Sequence, residues 1–181
     1  SVMFPTFANA QTASPASIYI HADGNIDGTN LIVRDGGLYA FTSDIAGSIM
    51  IERDNVILDG KGFSLQADTD ADSHAFTIEG RSNVTIQNLA VVTSGSGMML
   101  NHAAGCKVVN VTVQAERAGI RTRNLNNSLI ADCHIEAHVE YGLTLSFSPD
   151  NVVANNNIIT SMNDVVNCGY SPNNLITGNT L

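Results

Sequence analysis

The chain has 181 residues, 44% of them hydrophobic and only 14% charged, with a net charge of −9 and a pI near 4.7. That length and apolar content suit one folded domain rather than a disordered chain. The acidic balance, with 8 basic residues and no basic cluster, argues against a nucleic-acid partner, and no apolar run approaches the ~18 residues of a membrane span.

Residues 1–17 read as the N-terminal arm of an exported protein or a signal remnant. Ala8-Asn9-Ala10 has the small-x-small form of a signal-peptidase site, and Val2-Met3-Phe4 before it suits the tail of an apolar h-region. A secreted or cell-surface location follows. Residues 18–181 form the folded unit, of which 18–46 is a lead-in. It has short strands at Ile18–Ile20, Leu31–Val33 and Leu38–Phe41, separated by Asp23-Gly24-Asn25, Asp27-Gly28-Thr29 and Asp35-Gly36-Gly37 turns. Coils occupy 47–181, and Gly47–Gln66 is the first of them. Leu58 there matches Ile86 in the next coil, a longer step than the later coils take, and the excess is assigned to a loop, Ala67–His74.

From Ala75 the chain repeats itself. A polar column reads Asn88, Asn110, Asp132, Asn155, Gly178, in steps of 22 (88 to 110), 22 (110 to 132), 23 (132 to 155) and 23 (155 to 178). An apolar column, Val91, Val113, Ile135, Ile158, Leu181, keeps the same steps. So does Ile78, Leu100, Thr122, Leu145, Cys168. A glycine column, Gly97, Gly119, Gly142, lapses at Val165. A fixed period in this range signals a solenoid. Its contents are short β-branched runs broken by Gly, Asn, Ser and Asp, with no apolar stripe at helical spacing, so helical and leucine-rich repeats fit poorly. The expected fold is all-β: a single parallel β-helix of about six coils with a 22–23-residue period, each coil stacked about 4.8 Å from the last. Asparagine in the polar column suits turn conformations and coil-to-coil hydrogen bonding.

Cys106, Cys133 and Cys168 fall in different columns, so no disulfide is implied, and free buried thiols are expected. The last strand, Asn174–Leu181, ends on the apolar column without a polar cap, whereas repeat proteins cover such ends. Leu175, Ile176 and Leu181 are therefore the expected assembly edge.

Asn83-Val84-Thr85-Ile86-Gln87-Asn88-Leu89 and Asp150–Ile158 resemble right-handed parallel β-helix repeats of the pectate-lyase-like superfold. Leu38–Phe63 is similar to the start of NosD-type β-helix proteins, which are exported. The resemblance covers roughly residues 38–181 and implies a right-handed coil. It spans polysaccharide lyases and hydrolases as well as surface proteins, so it does not fix a function.

As that resemblance implies, a sugar-cleaving member would carry carboxylates and Arg on the outward face of one strand column. Glu79, Asn101, Arg123 and Ser146 are expected to point outward, with Arg121 near them, and Phe147 and Tyr141 are the aromatic residues near this face. Glu79, Arg121 and Arg123 are thus the candidate catalytic set, although Glu79 and Arg123 should lie two coils, about 10 Å, apart. The spacing Asp68-x-Asp70-x-Asp72 suggests calcium, with Glu79 at the twelfth position of the loop; Ser73 stands at the sixth, where Gly is expected. The NosD resemblance suggests copper, but His21, His74, His102, His134 and His138 form no ligand cluster in the sequence. Asn83, Asn110 and Asn126 open glycosylation sequons, of which Asn110 should be inaccessible within the ladder. The leading expectation is a structural protein that self-associates head to tail as a homo-oligomer or homopolymer. The alternative is a polysaccharide-binding or polysaccharide-cleaving β-helix.

Overall fold

The computed structural model describes residues 17–68 and 73–181. The N-terminal arm, apart from Ser17, and Asp70 and Asp72 of the acidic loop lie outside the described residues.

Every regular element among the described residues is a strand. The lead-in holds β1 (Ser17–Ile20), β2 (Ile26–Asp27), β3 (Ile32–Asp35), β4 (Leu38–Phe41) and β5 (Ile45–Ala46). The first coil holds β6 (Ser48–Ile51), β7 (Ile57–Asp59) and β8 (Ser64–Ala67). The second holds β9 (His74–Glu79) and β10 (Thr85–Thr93), and the third β11 (Ser96–Asn101) and β12 (Lys107–Ala115). The fourth holds β13 (Ile120–Arg123), β14 (Leu129–Ala131) and β15 (His134–Ala137). The fifth holds β16 (Leu143–Ser146), β17 (Val152–Ala154) and β18 (Asn157–Thr160), and the sixth β19 (Val166–Gly169) and β20 (Leu175–Thr177).

These strands stack into three faces of a parallel β-helix. The first face is an eight-stranded sheet in the order β19-β16-β13-β11-β9-β6-β1-β2. The second runs β20-β17-β14-β12-β10-β7-β4-β3, and the third joins β5, β8, β10, β12, β15 and β18. β10 and β12 are long enough to bend from the second face into the third: β10 pairs with β7 through Thr85–Gln87 and with β8 through Ala90–Thr93.

Alternation along each strand sets the core. On the first face Ile51, Ile78, Leu100, Thr122 and Leu145 stack inward in register. Leu58, Ile86, Val108, Ile130 and Val153 do so on the second, and Leu65, Val91, Val113, Ile135 and Ile158 on the third. All of these are buried. Burying each large apolar side chain contributes about 1.5–3 kcal/mol relative to exposure.

The corners explain the polar columns. Asn88, Asn110, Asp132 and Asn155 have φ of 55°, 53°, 55° and 57°, and Gly178 has 66°. This is the left-handed conformation that Asn, Asp and Gly tolerate best. The first rungs of the expected ladder are present: Asn110 Nδ2 donates to Asn88 Oδ1 at 2.9 Å, and Asn88 Nδ2 donates to Asp59 Oδ1 at 3.2 Å. A second left-handed column, Asn55, Asn83, Gly105, Asn127, Asp150, Asn173, lies at the turn from the first face to the second. Its side chains also bond, Asn83 to Asn55 and Asn173 to Asp150, each at 3.1 Å.

Behind these corners the interior turns polar toward the sixth coil. Cys106 N–H donates to Ser128 Oγ, Ser128 N–H to Asn151 Oδ1, and Asn151 N–H to Asn174 Oδ1, at 2.9, 2.9 and 2.7 Å. Cys133 and Asn156 donate likewise to Asn156 and Asn179, and Leu125 and Ser148 to Ser148 and Ser171. Each side chain satisfies a corner amide that the turn withholds from the strand ladder, which is what a buried donor requires.

Two expectations are corrected. The extra length between Leu58 and Ile86 does not all sit in the acidic loop. The path from Leu65 to Phe76 is longer than its counterpart from Val91 to Met98, and this part of the excess is the loop. The path from Leu58 to Leu65 is also longer than its counterpart from Ile86 to Val91, so the turn at Gly60–Phe63 takes the rest. The cysteines are free, and Cys106 and Cys133 are buried, but Cys168 is exposed because no coil covers the interior column beyond it in this structure.

The two ends differ. At one, β2 pairs antiparallel with β1 and β3 antiparallel with β4, folding the lead-in across the first coil. At the other, the sixth coil exposes Leu175 by 56%, Ile176 by 41% and Leu181 by 64%. Ile176 continues the inward column of Val153, and Leu175 continues the outward column of Val152, so the two face different ways.

Candidate functional site

The outward side of the first face carries two side-chain columns. One contains Glu52, Glu79, Asn101, Arg123 and Ser146 on successive coils; the other contains Met50, Thr77, Met99, Arg121 and Thr144. The register therefore puts Glu79 and Arg123 two coils apart, as the period implies. Arg121 lies in the second column and is held elsewhere: Glu140, in the turn after β15, pairs with both Arg121 and Arg117. Arg117 Nε reaches Glu140 Oε1 at 3.0 Å. The structure does not bring Glu79, Arg121 and Arg123 together at one point.

It brings Glu52 beside Glu79 instead. Both line a groove of about 420 Å³ with Ala22, Met50, Ile51 and Arg81. Arg81 is fixed as the groove wall, donating through Nε to the Glu79 carbonyl at 3.0 Å and through Nη1 to the Glu52 carbonyl at 3.3 Å. Each carboxylate is tied to an imidazole. His21 Nδ1 lies 2.8 Å from Glu52 Oε2, and His21 Nε2 lies 2.9 Å from Asp27 Oδ2. His102 Nδ1 lies 3.1 Å from Glu79 Oε1, Asn101 Nδ2 donates to Glu79 Oε2 at 2.7 Å, and Asn124 Nδ2 meets His102 Nε2 at 2.9 Å. The hydrogen bonds to Glu52 and then Asp27 raise the His21 pKa above its ordinary value, against a smaller opposing effect of desolvation. Glu52 escaped the sequence reading because its step to Glu79 is longer than the regular period of the later coils.

The corner beside this column continues into an exposed aromatic pair. Phe147 and Tyr170 stack with ring centroids 5.1 Å apart and planes 8° from parallel. Both hold left-handed backbones, φ 49° and 51°, in line with Gly80, His102 and Asn124. Tyr141, the other aromatic residue expected near this face, offers its backbone carbonyl to Gly119 N–H.

Of the expected calcium ligands, Asp68 accepts a hydrogen bond from Ser94 Oγ at 2.9 Å. Glu79 stands at the far end of the six-residue strand β9, about 17 Å along at the usual rise per residue. A buried carboxylate sits elsewhere, at the corner of the first coil. Burial works against ionised Asp59, but hydrogen bonds from the Lys61 backbone and ammonium, Asn88 and Gln87 outweigh it and bring the pKa to about 2.

The remaining histidines are dispersed. His138 lies between Glu116 (3.3 Å) and Glu136 (3.5 Å), and His134 Nδ1 meets Asn157 Nδ2 at 3.1 Å. Burial first, and then Arg121, lowers the His74 pKa. Of the sequons, Asn110 is exposed rather than inaccessible, although its amide does belong to the ladder. Asn83 is exposed and laddered too, while Ser128 of the third sequon is buried and donates to the Asn126 carbonyl.

The family model described as "Periplasmic copper-binding protein (NosD)" matches residues 49–181 of the chain. No curated protein and no solved structure matches it. Copper sites draw on clustered imidazole, thiolate or thioether donors. Among the described residues no three of His, Cys, Asp and Glu converge on a point that could hold a metal. The thiols are poor donors as well: burial raises all three, Cys133 to about 11, and Cys133 Sγ is turned to the Ala131 carbonyl at 3.1 Å. The donor set among the described residues does not fit copper. The match nonetheless covers the solenoid from β6 to the final residue, and the chain belongs to the NosD family of exported, periplasmic β-helix proteins.

Proposed function

We propose that this protein is a structural solenoid of the cell surface or surrounding medium that self-associates head to tail, the sixth coil of one copy docking on the lead-in end of another. One observation supports the reading. Val153 and Ile158 are buried under the coil that follows them, and Ile176 and Leu181 continue those interior columns, so a coil laid against them buries them in the same way. Beside them β19 and β20 present strand edges, which pair readily with another chain. Adding a neighbour's strands to such an edge is β-augmentation, and a head-to-tail contact that does not close gives a filament. The test is negative-stain electron microscopy of the whole chain across a concentration series. Regular filaments are expected for the native chain and monomers for Ile176→Lys, because a charge in the interior column opposes docking. Monomers of the native chain at every concentration, or unchanged filaments of the variant, would overturn the reading.

A second reading rests on the groove lined by Glu52, Glu79 and Arg81. A hydroxyl-rich polysaccharide would find carboxylate acceptors on successive coils there. Glycan-array binding that falls on Glu79→Gln would support it. Adding calcium to the binding buffer probes the Asp68–Asp72 loop at the same time.

A further inference from the structure

The two edges of the first sheet are treated differently. At one, β19 is the last strand among the described residues. At the other, β1 is covered by β2, which pairs antiparallel through Tyr19 with Asp27 and Ile20 with Ile26. Every other neighbouring pair in this sheet is parallel. β2 therefore stands where the parallel stack would otherwise accept another coil. Two residues of strand are too few to hold that position by pairing alone.

The turn that leads to β2 is held by Tyr39 Oη, which donates to the Gly24 carbonyl at 3.0 Å, and by Arg34 Nη1, which donates to the Asp23 carbonyl at 3.5 Å. His21 ties the covering strand itself. It follows β1 directly, and its two ring nitrogens reach Asp27 on β2 (2.9 Å) and Glu52 after β6 (2.8 Å). One side chain thus joins the covering strand to the first coil. The Tyr19 ring stacks on the imidazole at 5.6 Å and 6°, which fixes the ring plane between the two carboxylates. A neutral imidazole has one N–H and one lone pair, whereas the imidazolium has two N–H groups. Only the charged ring donates to both carboxylates; the neutral ring turns a lone pair on one of them.

The other charged groups nearby do not take over this task. Asp23, in the intervening turn, accepts from Asn25. Arg53 donates to the Ala22 carbonyl, and Arg81 to the Glu52 carbonyl rather than its carboxylate. Glu79 shares the groove with Glu52 but is held by Asn101 and His102.

We propose that His21 is a proton-operated latch that keeps β2 on the edge of β1, and that its deprotonation frees that edge for the β19 strand of a second copy. The second half rests on the head-to-tail reading above; the first half does not. The His21 pKa is raised, so the latch is closed at and below the ordinary imidazole value and opens as pH rises through the raised one.

Hydrogen exchange of the whole chain tests the latch, and light scattering on the same samples tests its consequence. After correction for intrinsic rates, residues 22–28 should exchange about tenfold faster at about pH 8.5 than at about pH 5.5. His21→Gln should abolish that dependence, and Asp27→Asn should move its midpoint to lower pH by removing one of the two carboxylates. Light scattering of the native chain should grow with pH, and His21→Gln should assemble equally at both values. Exchange in 22–28 that does not depend on pH overturns the latch even if filaments form. Exchange that opens with pH while no assembly appears overturns the head-to-tail reading and leaves the latch standing.

Discussion

An asparagine at the corner between the second and third faces has two physical tasks, and Asn110 shows both. Its backbone sits at φ 53°, and its amide donates to Asn88 on the coil before. Other L-residues lose roughly 1–2 kcal/mol in that conformation, and the exposed hydrogen bond contributes about 1 kcal/mol at most. Asn110→Ala should therefore destabilise the chain by about 1–2 kcal/mol in a denaturant titration. Asn110→Gly should cost less, because glycine removes the strain but not the lost bond. Equal losses for the two variants would mean that the ladder, not the backbone, is what asparagine supplies. This column was legible because asparagine signals such turns and recurs with the period. Phe147 and Tyr170 occupy the same conformation on the neighbouring corner, and no propensity rule points to bulky aromatic rings there. Their rings stack across successive coils, one repeat step apart.

The glycine column belongs to the scale of elements, since its reason is the close approach of strands. Gly119 sits at the corner where the third face returns to the first, and its backbone needs no left-handed conformation. A methyl group there would overlap the Ile135 side chain and the Gly142 carbonyl of the next coil. Gly97 meets Val113 and the Gly119 carbonyl in the same way. Overpacking of this kind costs typically about 1–3 kcal/mol. Gly119→Ala should lower the thermal midpoint, while Gly169→Ala should leave it unchanged, because nothing lies within 4 Å of a methyl group there. A Gly169→Ala loss equal to that of Gly119→Ala would remove the steric account. The lapse at Val165 has the same logic. Val165 would crowd the Leu181 column, which in this structure is open to solvent. The strand columns could be read from the sequence because each recurs on coil after coil. The His21–Glu52 contact could not. It depends on an antiparallel lead-in strand, and the first coil reaches the second by a longer step than any later coil takes on these faces. The Arg117–Glu140 pair lies one repeat step apart and was open to a reading by columns, whereas the second hold of Glu140, on Arg121, joins a turn to a strand column and was hidden.

At the scale of the whole molecule, docking one copy on another opposes two forces of different reach. The exposed apolar column at the sixth coil acts only at contact. The net charge of −9 acts at a distance set by salt. Six coils at the usual strand spacing make a body about 30 Å long. The Debye length is also about 30 Å at 0.01 M ionic strength, so each copy then feels nearly the full charge of its neighbour. At about 0.15 M it falls to about 8 Å, and only charges near the docked ends still count. Head-to-tail assembly driven by an apolar coil should therefore be weak at low ionic strength and strengthen as salt is added, with a lower critical concentration by light scattering. An interface built on ion pairs between the ends would behave oppositely, since salt weakens exposed pairs. Filaments that dissolve between about 0.01 M and about 0.15 M salt would thus exclude the buried Ile176 and Leu181 as the main source of association.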